Sequence, residues 1–232
     1  MNQIQNYEFN NPLNLSKILI GLLYIGIGMI ALVVIDSAIS YNFYSNVQNM
    51  SEEQFHENNE RINLIGLPKA LFDIATIVTF LIWINRANKN ARALGAKNMQ
   101  FSPGWCVGWW FIPFAQLWKP YQAVREIWKT SKNIDRWQSQ KNNTISLWWT
   151  LWIILGTINY IIVQWQISVY PYTFDKEGIL KWNFSYDKFI HYKNIELAFI
   201  FSSIFDIALS IIFIKIIREI CNRQLNQFHN QS

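Results

Sequence analysis

Four long apolar segments alternate with polar segments along the chain. The apolar segments run from about 18 to 39, 64 to 84, 145 to 170 and 195 to 217. The second has 21 residues, and as an α-helix it would be about 31 Å long, close to the roughly 30 Å hydrocarbon core of a bilayer. The pattern predicts an all-α integral membrane helical bundle with four transmembrane helices. We expect 18–217 to form a single membrane domain, between a polar N-terminal segment at 1–17 and a cytoplasmic tail at 218–232.

The composition narrows the class of protein. Hydrophobic residues make up 51% of the chain and charged residues 15%, whereas about 25% of a soluble domain is charged. This excludes a disordered chain and a soluble enzyme with a single core. The two cysteines and three histidines have no metal-ligand spacing, so we expect no disulfide, metal or cofactor. No phosphate-binding loop or hydrolase motif occurs, and we assign no catalytic residue.

The distribution of basic residues predicts the orientation in the membrane. Segment 85–144 contains ten Lys and Arg residues, whereas 36–63 contains only Arg61 and 171–194 contains four Lys. Because basic residues accumulate on the cytoplasmic side of membrane proteins, 85–144 is predicted to be cytoplasmic. With four spans, both termini are then cytoplasmic as well, and 36–63 and 171–194 are predicted to be loops that face outward. This topology explains the net charge of +5, and we expect no nucleic-acid partner.

The segment at 101–136, between the second and third spans, is unusual. Its uncharged stretch from Trp105 to Trp118 has 14 residues and contains Pro113, which is short for a span. Both flanks are basic, so a single crossing would place one basic flank outside. We therefore predict a Trp/Pro-rich re-entrant or interfacial element at the inner face of the membrane. The alternative is a fifth span, which would place the two termini on opposite sides.

From Tyr121 onwards the pattern becomes helical. Tyr121, Val124 and Trp128 share one face of this predicted amphipathic cytoplasmic helix. A second face carries a basic stripe, which consists of Arg125, Lys129, Lys132 and Arg136. Such a stripe is expected to bind anionic lipids of the inner leaflet. The alternative is an ordinary solvated face, in line with the nearby Glu126 and Asp135.

The same segment is dense in Trp, Gly and Pro. Its runs are Phe101-Ser102-Pro103-Gly104-Trp105, Gly108-Trp109-Trp110-Phe111-Ile112-Pro113-Phe114, Leu117-Trp118-Lys119-Pro120 and Arg125-Glu126-Ile127-Trp128. These runs resemble the signature of a bacterial membrane family, domain of unknown function 4328. With the flanking hydrophobic hairpins, the resemblance covers about 60–220. The signature residues are Pro103, Gly104, Trp105, Gly108, Trp109, Trp110, Pro113, Trp118, Pro120, Arg125, Glu126 and Trp128. The resemblance implies a bacterial inner-membrane protein of unknown activity, and it transfers no catalytic residue.

Two aspartates lie inside the apolar segments. The second and fourth spans share the tetrapeptide Phe-Asp-Ile-Ala, which contains Asp73 and Asp206, so the chain is interpreted as two related hairpins. Each Asp lies about 14 Å into its span, where a carboxylate costs about 2.5 to 3.5 kcal/mol. One hypothesis is that the two face each other and bind a cation or relay a proton. The alternative is that each is protonated or satisfied by local donors such as Lys69 and Ser202.

These features lead to two hypotheses for the function. The first is an ion- or solute-handling protein that uses Asp73 and Asp206. The second is a non-catalytic membrane interaction module, in which 101–136 binds anionic lipid or a partner protein, with a second copy of the chain among the partners considered. A membrane enzyme is the third alternative and the least supported, because the sequence offers no pair of nucleophile and base.

Overall fold

The structure is a computed structural model that describes residues 7–46, 51–141, 143–169, 172–174, 176, 179–182 and 186–231. In chain order its elements are α1 (Leu13–Asn46), α2 (Glu52–Ala93), α3 (Pro103–Gly108), α4 (Lys119–Lys132), α5 (Asn143–Ser168), β1 (Tyr172–Phe174), β2 (Leu180–Trp182) and α6 (Tyr186–His229). Within the described ranges, four of these helices are long and apolar enough to cross a membrane, namely α1, α2, α5 and most of α6. The predicted set of four long apolar helices is therefore confirmed.

Three of the long helices, α1, α2 and α6, extend well beyond the apolar segments from which they were predicted. α1 has 34 residues, α2 has 42 and α6 has 44, which corresponds to about 51, 63 and 66 Å. α2 begins at Glu52 because Ser51 and Gln54 form a capping box, in which each side chain accepts the backbone N–H of the other at 3.2 and 3.1 Å. Residues 52–63, which we interpreted as loop, consequently belong to this helix.

One face of α2 is apolar and exposed. Leu64, Leu67, Leu71, Ile74 and Val78 follow a spacing of three and four residues, and each has half or more of its surface exposed. A helix of a soluble protein buries such a face against its own core. In α2 the face is instead left uncovered by the rest of the described chain.

The segment predicted as the second outer loop contains a small sheet. β1 and β2 are antiparallel, and Tyr172 pairs with Trp182 while Phe174 pairs with Leu180. Each strand has three residues. The sheet is a small local feature of a helical chain, and the predicted all-α fold class holds for the described residues.

The chain divides into two compact units. The first consists of Met1–Ile25, Asp73–Ile153 and Leu209–Ser232, and the second of Gly26–Phe72 and Ile154–Ala208. The core of the first unit includes Trp83, Ile84, Cys106, Ile127 and Ile217, all nearly inaccessible to solvent. The core of the second is smaller and consists of Tyr44, Phe55, Ile162, Val169, Tyr192 and Ile195. That 18–217 forms one membrane domain stays a prediction.

Candidate functional site

The signature segment, residues 101–128, begins with short turns that its prolines and serine dictate. Ser102 caps α3 by accepting the backbone N–H of Trp105 at 3.4 Å, and Pro103 occupies the first turn, where its missing N–H costs nothing. Two short 3₁₀ turns follow at Trp109–Phe111 and Ala115–Leu117, before α4. Because α3 has only six residues, or about 9 Å, residues 101–118 contain no helix of spanning length.

A strained γ-turn lies at the middle of the signature segment. Phe114 has φ 62° and ψ −51°, a conformation that non-glycine residues rarely adopt. The backbone N–H of Ala115 donates to the carbonyl of Pro113 at 2.7 Å and closes the turn. Residues in such conformations cost of order 1–3 kcal/mol and are concentrated at functional sites. The turn also leaves the Phe114 side chain 78% exposed.

Phe114 belongs to a larger exposed surface, which we call the aromatic ridge. The ridge consists of Trp105, Phe111, Phe114, Leu117 and Trp118, and each side chain is about half or more exposed. Several large apolar side chains that are exposed within one short segment are typical of an interaction site. Next to the ridge, the Lys119 ammonium lies 5.5 Å from the Trp109 ring and 5.8 Å from the Phe101 ring.

The end of α2 holds the start of the signature segment through side-chain hydrogen bonds. Asn88 is fully buried, and its Nδ2 donates to the carbonyl of Phe101 at 3.0 Å and to Sγ of Cys106 at 3.1 Å. Arg92 donates to the same carbonyl at 2.9 Å and to Oδ1 of Asn88 at 3.0 Å. Asn85 donates to the carbonyl of Pro103 at 2.8 Å. In the sequence, Arg92 counts only as a cytoplasmic charge, and the two asparagines carry no pattern that predicts this role.

Glu126 holds the segment from the side of α4. Its buried carboxylate accepts the backbone N–H groups of Gln100 at 2.6 Å and Phe101 at 3.2 Å. Burial raises the pKa of Glu126 above its usual 4.5, although these two N–H groups and Arg92 act in the opposite direction. Burial and then the Glu126 charge raise the pKa of the Cys106 thiol to about 12. Glu126 therefore holds the backbone at Gln100 and Phe101 in place. The neighbouring Cys106 is a thiol rather than a reactive thiolate.

The apolar face of α4 packs inside the protein. Val124 and Trp128 are buried, and the Trp128 indole N–H donates to the Glu219 carboxylate of α6 at 2.9 Å. One member of the basic stripe is buried as well: Lys129 is 8% exposed and donates to the carbonyl of Gln138 at 3.2 Å. The exposed members are Arg125 and Lys132 on α4, together with Arg136. Because α4 ends at Lys132, Arg136 lies beyond the helix and not on its face, which corrects the prediction of a helical stripe through Arg136.

Some of the remaining signature residues are buried in the protein, and others are exposed on its surface. Pro103 and Pro120 are buried, whereas Gly104 and Pro113 are exposed. A Cβ on Gly108 would lie 3.1 Å from the Trp105 ring, so glycine leaves room for Trp105 to pack against Trp109 in a tilted arrangement, with a centroid distance of 4.8 Å. The Trp110 ring packs edge-on against three other aromatic rings, which belong to Phe80, Trp149 and Trp152.

The two aspartates singled out from the sequence are both half-buried. Asp206 accepts a hydrogen bond from Nδ2 of Asn159 at 3.4 Å, and the charge of Lys69 lies within electrostatic range of it. Asp73 belongs to the first compact unit and Asp206 to the second. That the two aspartates face each other stays a prediction.

A buried charged cluster in the second unit was not singled out from the sequence. Arg61 donates from Nε to Asp36 at 2.6 Å, and from Nη2 to Ser40 at 2.6 Å and to Asn58 at 2.8 Å. Glu196 is 6% exposed, and its carboxyl group forms a hydrogen bond with the Ser37 side chain and lies near Asp36. The sequence does contain features that indicate this cluster. Asp36 and Glu196 are acidic residues inside predicted spans, and Arg61 is the lone basic residue of 36–63.

Comparison with known proteins identifies a family for most of the chain. The family model described as Domain of unknown function (DUF4328) matches residues 47–222. Neither the curated proteins nor the solved structures contain a match. Among the residues that the structure describes, no group of three or more His, Cys, Asp or Glu side chains could hold a metal ion.

Proposed function

The chain belongs to the DUF4328 family, and from this premise we propose that it is a multi-pass protein of the bacterial cytoplasmic membrane that engages anionic lipids through its signature segment. The three exposed members of the basic stripe and the aromatic ridge form the proposed contact with the inner leaflet. In this proposal the protein is a non-catalytic interaction module, and the lipid interface is its binding partner.

The exposed apolar surface of the long helices supports insertion into a membrane. Leu64, Leu67 and Leu71 of α2 are 76%, 69% and 70% exposed, and α6 likewise exposes Leu197 and Phe201. Leaving a large apolar side chain in water costs about 1.5–3 kcal/mol relative to burying it. Hydrocarbon around α2 and α6 removes this cost along their whole apolar length. The ten basic residues at 85–144 support cytoplasmic placement of the signature segment and both termini.

The observation that carries the lipid-binding proposal is the combination of the aromatic ridge with neighbouring exposed bases. Trp side chains favour the headgroup level of a bilayer, and Trp105 and Trp118 are each about half exposed. Basic residues near an anionic surface each contribute about 1 kcal/mol. Arg125 stacks over Tyr121 and Lys132 over Trp128, at 5.9 and 5.5 Å from the ring centroids. These contacts restrain both charges on α4, the helix that directly follows the ridge in the chain.

The test compares anionic lipid enrichment around two charge-neutralised variants. The protein is reconstituted in mixed phosphatidylglycerol and phosphatidylcholine and extracted with a polymer that keeps the surrounding lipid. We expect phosphatidylglycerol enrichment for the wild type and its loss in R125Q/K132Q/R136Q. The matched control, K176Q/K181Q/K193Q, removes the same charge from the segment predicted to face outward. Equal enrichment in the wild type and the stripe variant would contradict the proposal.

Ion or proton handling is a second candidate function, favoured by the contact of Asp206 with Asn159. Intramembrane acids often mark ion pathways, and the cluster of Asp36, Arg61 and Glu196 adds buried charge to the same unit. We expect proton or monovalent-cation flux in proteoliposomes, with loss of flux in D73N/D206N at matched reconstitution. Unchanged flux in that variant would refute this candidate.

A further inference from the structure

A polar cavity lies beside α4 in the first compact unit. Its volume is about 240 Å³. Two basic side chains, one carboxylate and three side-chain amides contribute to its lining, and they belong to Arg125, Lys129, Glu126, Gln100, Gln122 and Gln138. The three positions 122, 125 and 129 are three and four residues apart on α4, so they share one face of this helix.

Two other segments complete the walls of the cavity, namely 97–101 and 137–138. Glu126 accepts two backbone N–H groups of 97–101, and Lys129 donates to a carbonyl of 137–138 at 3.2 Å. An indole N–H of 137–138 donates to a carbonyl of 97–101 at 3.0 Å and joins the two segments to each other. The walls are therefore held in place by hydrogen bonds of the protein itself.

The basic side chains of this cavity have no acidic partner. Lys129 is 8% exposed and donates to the Gln138 carbonyl, whereas no ion pair of the described residues includes Lys129 or Arg125. Lysine side chains are almost never buried unless they are paired. Burial and then the Arg125 charge lower the pKa of Lys129, so the surrounding protein disfavours its charged form. An anion in the cavity would reverse this effect.

The carboxylate in the lining is engaged elsewhere. Both oxygens of Glu126 accept backbone N–H groups, and the positive charge of Arg92 acts on the same carboxylate. Together with Arg92, the two basic side chains of the lining exceed the charge of Glu126 by two. The cavity therefore favours an anionic occupant.

The donors of the cavity match a phosphate group. A phosphate monoester has a charge of about −1.5 to −2 near pH 7 and three strong acceptor oxygens. The planar guanidinium of Arg125 and the three ammonium donors of Lys129 both suit such oxygens, and the glutamine amides can supply neutral donors. The volume is below the roughly 300–1,000 Å³ of drug-sized ligand pockets, which leaves room for a phosphate with a small substituent.

We propose that this cavity binds a phosphate group, with Lys129 as the buried contact and Arg125 as the exposed contact. A soluble phosphate monoester and the headgroup of an anionic phospholipid share this chemistry, and either can supply the group. The inference goes beyond the proposed function, because it assigns a defined cavity and a role to the buried member of the basic stripe. It shares Arg125 with the proposed lipid contact and does not depend on that contact.

The first test measures binding of inorganic phosphate to the full chain in a phosphate-free maltoside detergent. Isothermal titration calorimetry should give saturable binding, which chloride at equal ionic strength does not reproduce. We expect at least tenfold weaker binding in Lys129→Gln and in Arg125→Gln, since each loses a charge-assisted hydrogen bond. The matched control is Lys89→Gln, which removes the same charge from an exposed position of α2 and should bind as the wild type does.

Arg125→Gln keeps the test decisive if Lys129→Gln does not fold, because Arg125 is exposed. Melting temperatures in the absence of phosphate identify the folded variants.

Two further probes distinguish the sources of the phosphate group. If a soluble monoester is the source, glycerol 3-phosphate should bind more tightly than inorganic phosphate, and phosphatidylglycerol in the micelles should not compete. If a lipid headgroup is the source, phosphatidylglycerol should abolish the binding of inorganic phosphate. Both results support a phosphate site in the cavity.

The inference is overturned if the wild type binds none of the three probes, or if folded Lys129→Gln and Arg125→Gln bind phosphate as the wild type does. The proposed function is measured separately, as enrichment of surrounding phosphatidylglycerol. Lys132→Gln/Arg136→Gln should lower this enrichment and keep phosphate binding in the cavity, whereas Lys129→Gln should do the opposite. Failure of one readout alone therefore identifies which of the two proposals is wrong.

Discussion

Trp128 of α4 donates its indole N–H to the Glu219 carboxylate of α6 at 2.9 Å. Arg223 donates to the same oxygen at 3.0 Å, and its guanidinium lies 4.7 Å from the centroid of the Trp128 ring. Trp128 thus joins the signature segment to the fourth long helix twice, through its N–H on the Glu219 carboxylate and through its ring beneath Arg223. Further along α6, Gln227 donates to the carbonyls of Thr130 and Ser131 at the end of α4.

Removing the Glu219 carboxylate should destabilise the protein measurably. Glu219→Ala leaves the Trp128 and Arg223 donors without their acceptor, and we expect a loss of about 1–3 kcal/mol. Thermal unfolding in detergent measures it. The control is Glu52→Ala, because Glu52 faces His56 in an exposed pair at 3.9 Å and such pairs contribute little. Equal melting temperatures for the two variants would show that the Glu219 contacts are energetically neutral.

Glu126 should make stability depend on pH. Its pKa is raised in the folded protein, so the folded state binds the proton more tightly than the unfolded state does. Stability is then highest below the usual pKa of 4.5 and declines as pH rises from there through the raised folded pKa. We expect this decline to be absent in Glu126→Gln, whose side chain can still accept a backbone N–H. Melting temperatures of both proteins between pH 4 and 8, at about half-unit steps, test it, and parallel profiles would contradict the assignment.

Cys106 should be unreactive while the protein is folded. Its pKa of about 12 and its complete burial leave almost no accessible thiolate at pH 8, and thiolate is the reactive species. In a Cys221→Ser background, we expect iodoacetamide to modify Cys106 at least a hundredfold more slowly than in detergent-denatured protein. Rapid labelling of the folded protein would mean that the contact between Asn88 and Cys106 opens readily.

Arg61 and Asp36 should be energetically coupled. Arg61→Leu leaves Asp36 and Glu196 as neighbouring buried acids, and because the Arg61 side chain is 34% exposed, we discount the loss to about 1–3 kcal/mol. The double variant Arg61→Leu/Asp36→Leu should be more stable than Arg61→Leu alone. Additive changes in unfolding free energy around this double-mutant cycle would show no coupling.

The local features of this chain could be predicted from residue types and spacing alone. Four apolar segments of sufficient length predict four long helices, since only a helix satisfies every backbone group without external partners. The density of Trp, Gly and Pro from Phe101 to Trp128 identifies the family, which the match over 47–222 confirms. The spacing of Tyr121, Val124 and Trp128 correctly places them on one side of a helix.

Helical periodicity identifies which residues share a face, but it does not identify what that face contacts. The tertiary packing buries Trp128 against α6 and Lys129 beside Gln138, although both residues fit an interfacial helix equally well. Contacts between Asn88 and Phe101, or between Arg61 and Asp36, join residues that are 13 and 25 positions apart. Such pairs form only when separate elements meet, because hydrogen bonds and charge pairs act over a few ångströms of space rather than along the chain.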